Sequence, residues 1–256
     1  MKKKKKILPI ILTILIIIAL FILYFLSKDT IKYTKDRKVA EDIKTNVEEL
    51  MEEEETNEKN IEPKYSFEKV KEKYPDITSF IYIDDIGLKY PISQTNDNEY
   101  YLYHDLNGNP SDVGTIFVDY QNKSDFSDTN TIIYGHNMRE GFWQGDAFGK
   151  LDHYVDDDFR QNANQIIKIR TPEKTLYYKM IAGYNIQKNS NYRTINPNNP
   201  REYIENIIKE SRIDFGEKDR HIKEDDKIIT LSTCINSLDD DYRFVIHAIK
   251  INEIEN

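Results

Sequence analysis

Lys227-Ile-Ile-Thr-Leu-Ser-Thr-Cys234 and Arg243-Phe-Val-Ile-His-Ala-Ile249 are two short β-branched and aromatic runs separated by the polar loop 236–241. Runs of this composition and length read as strands, and so short a connection makes them an antiparallel hairpin. In such a hairpin Cys234, closing one strand, and Arg243, opening the next, lie side by side. Outward from this pair the same texture recurs at 81–84, 88–94, 114–119, 131–135, 165–170 and 176–186, with Asn, Asp, Gly and Pro between the runs. Eight strands in about 190 residues predict a closed barrel or a sandwich. Helical patches interrupt them at 67–73, 148–162 and 200–211, where Pro200 suits a first helical turn. The fold class expected is mainly β with short helices.

The composition narrows the chemistry. Lys and Arg number 36 against 45 Asp and Glu, a net charge of −9. Five of the bases are Lys2 to Lys6, so the chain from Lys28 onward carries 31 bases against 45 acids, a net of −14. Nucleic acid is therefore excluded as the expected partner, since its phosphates demand clustered bases. A single cysteine, Cys234, excludes an intrachain disulfide framework and any multi-cysteine metal site.

A lone cysteine is by default a small buried apolar side chain. Its position leaves a catalytic role open beside that default, because strand ends at loop rims are where catalytic groups are commonly displayed. Arg243 opens an otherwise apolar strand, where the plain reading is a side chain that snorkels to solvent. His136 repeats the position of Cys234: it follows Thr131-Ile-Ile-Tyr-Gly135, and Gly135 permits a close approach beside it. The other histidines have duller settings, His247 inside an apolar strand, His153 and His221 in charged stretches and His104 beside Asp105. His136 is the best base available. Two patterns imitate cation sites. Asp105-x-Asn107-x-Asn109 begins like a calcium loop, but Pro110 stands where that loop needs glycine and Ile116 where it needs a bidentate Glu. The aspartate triplets 156–158 and 239–241 read as solvated loops. No metal and no cofactor is expected.

Residues 7–26 are twenty uncharged residues. At roughly 1.5 Å per helical residue they match a hydrocarbon core about 30 Å thick. A cleaved signal peptide has an apolar region of about 7–15 residues and a small-residue cleavage site. Here the run ends Leu23-Tyr-Phe-Leu-Ser27. An uncleaved anchor is expected, with the lysine block holding the N-terminus in the cytoplasm and the rest of the chain outside. From Ser27 to about Pro63 the sequence is highly charged, with Val39, Ile43, Val47 and Leu50-Met51 near helical spacing, and reads as a partly helical stalk. The expected division is an anchor at 1–27, a stalk at 28–63 and a catalytic barrel at 64–256.

Thr230-Leu-Ser-Thr-Cys234 resembles the TLxTC signature of sortases, the membrane-anchored cysteine transpeptidases of Gram-positive bacteria. The segments Tyr134-Gly-His-Asn-Met138, Val113-Gly-Thr-Ile-Phe-Val-Asp119 and Arg243-Phe-Val-Ile-His-Ala248, and the helical insertion at 200–211, resemble class B members in particular. The resemblance covers most of residues 65–251 and implies an eight-stranded sortase-type β-barrel with His136, Cys234 and Arg243 as catalytic triad. Ser232 and Thr233, within the signature, are expected to touch substrate. Some members carry a carboxylate just after the cysteine, where this chain has Ile235 and Asn236. The implied partners are secreted proteins bearing an NPxTN- or (N/S)PxTG-like sorting motif and an amine of peptidoglycan or lipid II. In the implied reaction the cysteine attacks the Thr carbonyl, a thioester forms, and the amine captures it. An unperturbed cysteine–histidine pair holds its thiolate–imidazolium form at only about 1% of the neutral form. A minority reactive form is therefore expected. The competing readings are an extracellular cysteine hydrolase of another type and a non-enzymatic surface binding domain. Papain-like chain order, with Cys before His, does not fit, and no caspase-like Gln-Ala-Cys occurs.

Overall fold

The structure, a computed structural model, describes residues 4–52, 67–138, 146–234 and 241–256, with the side chains of 4–10, 25, 26, 29, 52, 138, 146 and 234 outside that description. The end of the expected stalk from residue 53, the residues 235–240 after Cys234 and with them two aspartates of the 239–241 triplet thus lie outside the described residues. The chain forms two compact units, residues 1–42 and 43–256. Helix α1 (Lys4–Glu52) runs through both ranges.

In the first unit, twelve large apolar side chains between Ile11 and Tyr24 are exposed. Among the described residues no helix is long and apolar enough to cross a membrane. The run expected as an anchor, 7–26, lies partly outside the described side chains.

In the second unit the end of α1 buries Ile43, Val47 and Met51, which fall four residues apart on one helical face. Lys73, from α2 (Phe67–Lys73), donates to the Asn46 side chain, and the Lys44 ammonium lies 5.1 Å from the Tyr90 ring. Phe67 of the same helix meets Phe80 edge-on at 5.3 Å.

The body of the unit is a closed barrel of eight strands. In chain order the strands are β1 (Ile77–Ile83), β2 (Leu88–Ser93), β3 (Phe117–Val118), β4 (Asn130–Gly135), β5 (Asn137–Met138), β6 (Asp146–Ala147), β7 (Ile166–Arg170), β8 (Lys174–Gln187), β9 (Ile228–Cys234) and β10 (Tyr242–Glu255). Around the barrel the order is β1-β2-β3-β4-β9-β10-β8-β7, closing where β7 pairs with β1. The pairs β2–β3 and β4–β9 are parallel. The eight runs expected as strands are these eight. β5 and β6 form a separate pair that the sequence did not announce, being two residues each.

Alternation along each strand sends one set of side chains inward and the other outward. Ile81, Ile133, Ile169, Tyr178, Leu231 and Ile246 fill the interior. The 3₁₀ helix Phe148–Val155 plugs it with Phe148, Leu151 and Tyr154. The expected helix at 148–162 is thus two pieces, because Asp156 ends the first and its carboxylate accepts from Phe159 N to cap α4 (Asp157–Asn162). Between β2 and β3 lies the one-turn helix α3 (Tyr100–Tyr103). On the outer face α5 (Pro200–Glu210) lays Ile204, Ile207 and Ile208 against Ile228, Val245 and Ile249 of the sheet, with Asn199 capping its first turn. Burial of each such isoleucine is worth about 1.5–3 kcal/mol.

One polar line crosses this outer layer. Thr230 Oγ1 donates to Asn130 Oδ1 at 2.7 Å, so it accepts from His247 Nδ1 at 2.9 Å. Asn130 Nδ2 in turn donates to the carbonyls of Tyr192 and Thr194 and to Tyr203 Oη. The segment 192–194 is thereby pinned to the sheet, which matters because it walls the candidate site. His247 is fully buried, and burial lowers its pKa to about 3.

Candidate active site

Three strands end at one rim of the barrel. β9 pairs antiparallel with β10 so that Cys234 stands opposite Arg243, and parallel with β4 so that Thr233 stands opposite Gly135. One residue on from that last pair are His136 and Cys234. The backbone therefore sets Cys234 between strands that present Arg243 on one side and His136 on the other. All three are placed by β-sheet register, and no loop closure is needed to bring them together.

The His136 ring is held from below. Its Nε2 lies 2.6 Å from the Leu102 carbonyl. A carbonyl only accepts, so Nε2 carries a proton and the lone pair of the neutral ring is on Nδ1. Gly114, at φ +60, lets the chain pass: a Cβ there would stand 2.7 Å from the Tyr101 carbonyl oxygen and 2.8 Å from His136 Cδ2. Gly135 plays a parallel part, since a Cβ on it would strike the Phe148 ring at 2.7 Å.

Beside the rim lies a pocket of about 150 Å³, lined among others by Leu102, Tyr134, Tyr192, Arg193, Ser232 and Arg243. Lys188 also lines it, so three cations border a cavity in a unit that is acidic as a whole. Lys188 is paired with Asp241 at 2.8 Å, and Arg243 Nη1 donates to the Tyr242 carbonyl at 2.8 Å. On the pocket wall the Tyr134 hydroxyl donates to Asp119 Oδ2 at 2.8 Å, and Asn98 Nδ2 donates to the same oxygen at 2.9 Å. Burial, followed by the Asp119 charge, holds the Tyr134 hydroxyl well above the usual tyrosine range, so it remains a donor.

The sortase domain family matches residues 81–251, two thirds of the chain. The chain belongs to the sortase family. Sortase B of Listeria monocytogenes is 32% identical over 164 residues, covering 62% of this chain and 63% of that protein. The match thus spans just under two thirds of that relative's length. Sortase B of Staphylococcus aureus is 23% identical over 253 residues, covering 98% of this chain and 99% of that protein. The crystal structure of a Staphylococcus aureus sortase B–substrate complex superposes with a TM-score of 0.71 at 24% identity, covering 87% of this chain and 99% of that one. These relatives and this solved structure are sortases of class B.

In this sortase the residues singled out by sequence have different settings. Ser232 lines the pocket, with Oγ 3.1 Å from Tyr192 Oη. Thr233 is buried with no partner for Oγ1 among the described residues, and it stands outside the pocket lining. It shares the inward parity of Ile229 and Leu231. His104 is stacked on Tyr100 at 4.3 Å, and His247 is sealed in the outer layer. The Asp105 carboxylate is occupied by the backbone N–H groups of Asn107 and Asn109. Asp157 pairs with Arg160. Sequence reading assigned Asn98, Leu102, Tyr192 and Arg193 no part in the site, and it placed Asp119 and Tyr134 in family-like segments without a role there. Tyr134 was within reach, lying two residues before His136 on the same strand; the others come from segments that only the folded chain brings together.

Proposed function

We propose that this sortase cleaves an NPxTN- or (N/S)PxTG-like sorting motif after Thr and transfers the protein to a peptidoglycan or lipid II amine, with Cys234 as nucleophile, His136 as acid and base, and Arg243 as anion-stabilising group. The observation that carries this reading is the register that sets Cys234 opposite Arg243 and one step past the Gly135–Thr233 pair. Support also comes from the Staphylococcus aureus sortase B, which was solved in complex with a substrate.

The chemistry follows from the residues. The Cys234 thiol gives its proton to Nδ1 of His136, and the sulfur attacks the Thr carbonyl carbon. Charge builds on the carbonyl oxygen, where the Arg243 guanidinium stabilises it. As the intermediate collapses, the C–N bond breaks and the imidazolium returns its proton to the leaving amine. The thioester then meets the acceptor amine; a new C–N bond forms, the C–S bond breaks, and His136 takes the amine proton and restores the thiol. Through both halves the hydrogen bond from Nε2 to Leu102 keeps the ring from turning over. Ser232 borders the pocket beside Arg243 and contacts the bound peptide in this reading, with Thr233 supporting the strand from within.

The same proposal places 1–27 as cytoplasmic lysines and membrane anchor, 28–63 as stalk and 64–256 as catalytic domain on the extracellular face. Its support is the uncharged run 7–26 and the exposed apolar side chains along α1, a surface that in water marks a lipid or protein contact. The test is a library of candidate sorting peptides incubated with the full chain, with and without added amines, and analysed by mass spectrometry. Cleavage after Thr with amide products in the presence of amine is expected. Cleavage elsewhere, or products insensitive to amine, contradicts the reading.

A further inference from the structure

The strands that carry the candidate site and the strands farthest from them differ in charge. In the closed order β9 lies diametrically across the barrel from β1. Around β1, the strands β2, β1, β7 and β8 hold Lys89, Lys168, Arg170, Lys174 and Lys179 and contain no Asp or Glu. Four neighbouring strands without a carboxylate depart sharply from a chain with 31 bases against 45 acids from Lys28 onward.

Register brings these side chains to one face. Lys89 stands opposite Tyr82, Tyr82 opposite Lys168, and Lys168 opposite Tyr177. Directly opposed residues share a face, and this face is the outer one, because the alternate residues Ile81, Ile83, Ile167 and Ile169 fill the interior. Lysine and tyrosine therefore alternate in a row across four strands. The Lys168 ammonium lies 4.9 Å from the centroid of the Tyr82 ring. Arg170 and Lys179, each two residues along from the Lys168–Tyr177 pair, flank the row on the same face. Lys89 is exposed, and Tyr82, Lys168, Tyr177 and Lys179 are half-buried. Carboxylates at the margin are engaged elsewhere. Asp85 accepts from the Tyr154 hydroxyl and from the backbone N–H groups of Asn164 and Gln165, and Glu253 pairs with Lys174 and Lys250.

We infer that this face lies against the anionic lipid headgroups of the membrane's outer leaflet and holds β4 and β9, the strands of the candidate site, on the side away from the bilayer. The inference rests on the anchored topology proposed above. Ammonium and guanidinium groups meet lipid phosphates, and amphipathic tyrosine rings suit the boundary between water and lipid. The domain as a whole is acidic and is repelled by an anionic leaflet, which leaves the carboxylate-free face as the one of approach. Because the anchor ties the domain to the same membrane, the contact acts at high effective concentration, and a few cations suffice.

The test places the full chain in vesicles of phosphatidylcholine alone or of an equimolar mixture with phosphatidylglycerol, with flotation as the check on insertion. The readout is the rate at which N-hydroxysuccinimide acetate labels individual lysines, followed by mass spectrometry. Lys89 and Lys179 are expected to label about threefold or more slowly in the anionic vesicles, and to regain the neutral-vesicle rate at about 1 M salt, where the Debye length is about 3 Å. Lys209, exposed on α5 over β9 and β10, keeps one rate in both. Lys168→Glu reduces the protection of Lys89 and Lys179 to less than about twofold. Lys89→Glu, at an exposed position, does the same for Lys179 and remains informative if Lys168→Glu misfolds. Equal labelling of Lys89 and Lys179 in the two vesicles, equal slowing at Lys209, or full protection in both variants overturns the contact while leaving the anchor intact. Protection that appears only when a soluble glycerol phosphate polymer is added to neutral vesicles assigns the face to that polymer and overturns the lipid contact. A chain that fails to float with phosphatidylcholine vesicles overturns the anchor, and the contact falls with it.

Discussion

Gly114 is the residue whose loss separates a positioned histidine from a histidine that is merely present. Its left-handed backbone costs a residue with a Cβ about 1–2 kcal/mol, and the Cβ would meet two carbonyl oxygens and the His136 ring inside 3.0 Å. Gly114→Ala is expected to slow peptide cleavage by about tenfold or more, by displacing the ring, while the thiol still reacts with a small alkylating reagent. A variant with unchanged cleavage removes Gly114 from the positioning of His136. His136→Gln should block peptide turnover and retain alkylation of Cys234, because a free thiol keeps a few per cent thiolate at neutral pH; loss of both would make the histidine chiefly a keeper of the thiolate. Arg243→Lys keeps the charge but loses the planar two-donor fork, and turnover is expected to fall roughly tenfold to a hundredfold. At this scale the sequence exposed the candidates whose position follows from strand ends. Cys234, His136 and Arg243 each close or open an apolar run, so their neighbourhood follows from pairing alone. Asn98 and Arg193 sit in polar segments whose composition resembles that of any solvated turn, and Asp119, at the end of an expected strand, becomes part of a wall only through hydrogen bonds that exist after the barrel closes.

Between elements, the close contact of β4 with the plug is the most sensitive. Gly135→Ala drives a Cβ into the Phe148 ring, an overpacking worth about 1–3 kcal/mol, and the melting temperature should fall accordingly; an unchanged value would mean that the plug shifts freely. In the outer layer, His247 has its folded-state pKa lowered to about 3 by burial. An unfolded chain binds that proton near pH 6.5, so between about pH 6.5 and 3 the unfolded state holds more protons and stability falls as pH falls. Thermal melts from pH 7 to 4.5 should show a shallower decline for His247→Leu than for the wild type, and parallel curves would contradict the assignment. The barrel strands were legible because half of each strand's residues face a dry interior, which imposes alternation. Strand ends were less so. β10 continues to Glu255 through exposed residues 251–255, paired with the start of β8, and backbone pairing without burial leaves no hydrophobic pattern. β5 and β6 are too short for any period, and the 3₁₀ plug followed by α4 shares a composition with a single helix.

For the molecule as a whole, the account is of an acidic domain that holds a cation-lined pocket at a barrel rim, on a chain whose apolar run is proposed to keep it at a membrane. Protease added to intact protoplasts should release a fragment of about the size of residues 28–256; protection of the domain would reverse the proposed orientation, and a mature chain beginning near Ser27 would mean the run is cleaved. The central claim is that Cys234, whose backbone β-sheet register sets between the strands of His136 and Arg243, carries the acyl group on its sulfur. The measurement closest to it is acid quenching of the full chain shortly after mixing with an Asn-Pro-Gln-Thr-Asn peptide, followed by proteolysis and mass spectrometry of the fragment containing Cys234. The account predicts an adduct on Cys234 equal in mass to the peptide truncated after Thr, discharged by triglycine and absent in Cys234→Ala. Peptide cleavage after Thr that persists in Cys234→Ala, or an acyl group found on another residue, would contradict it.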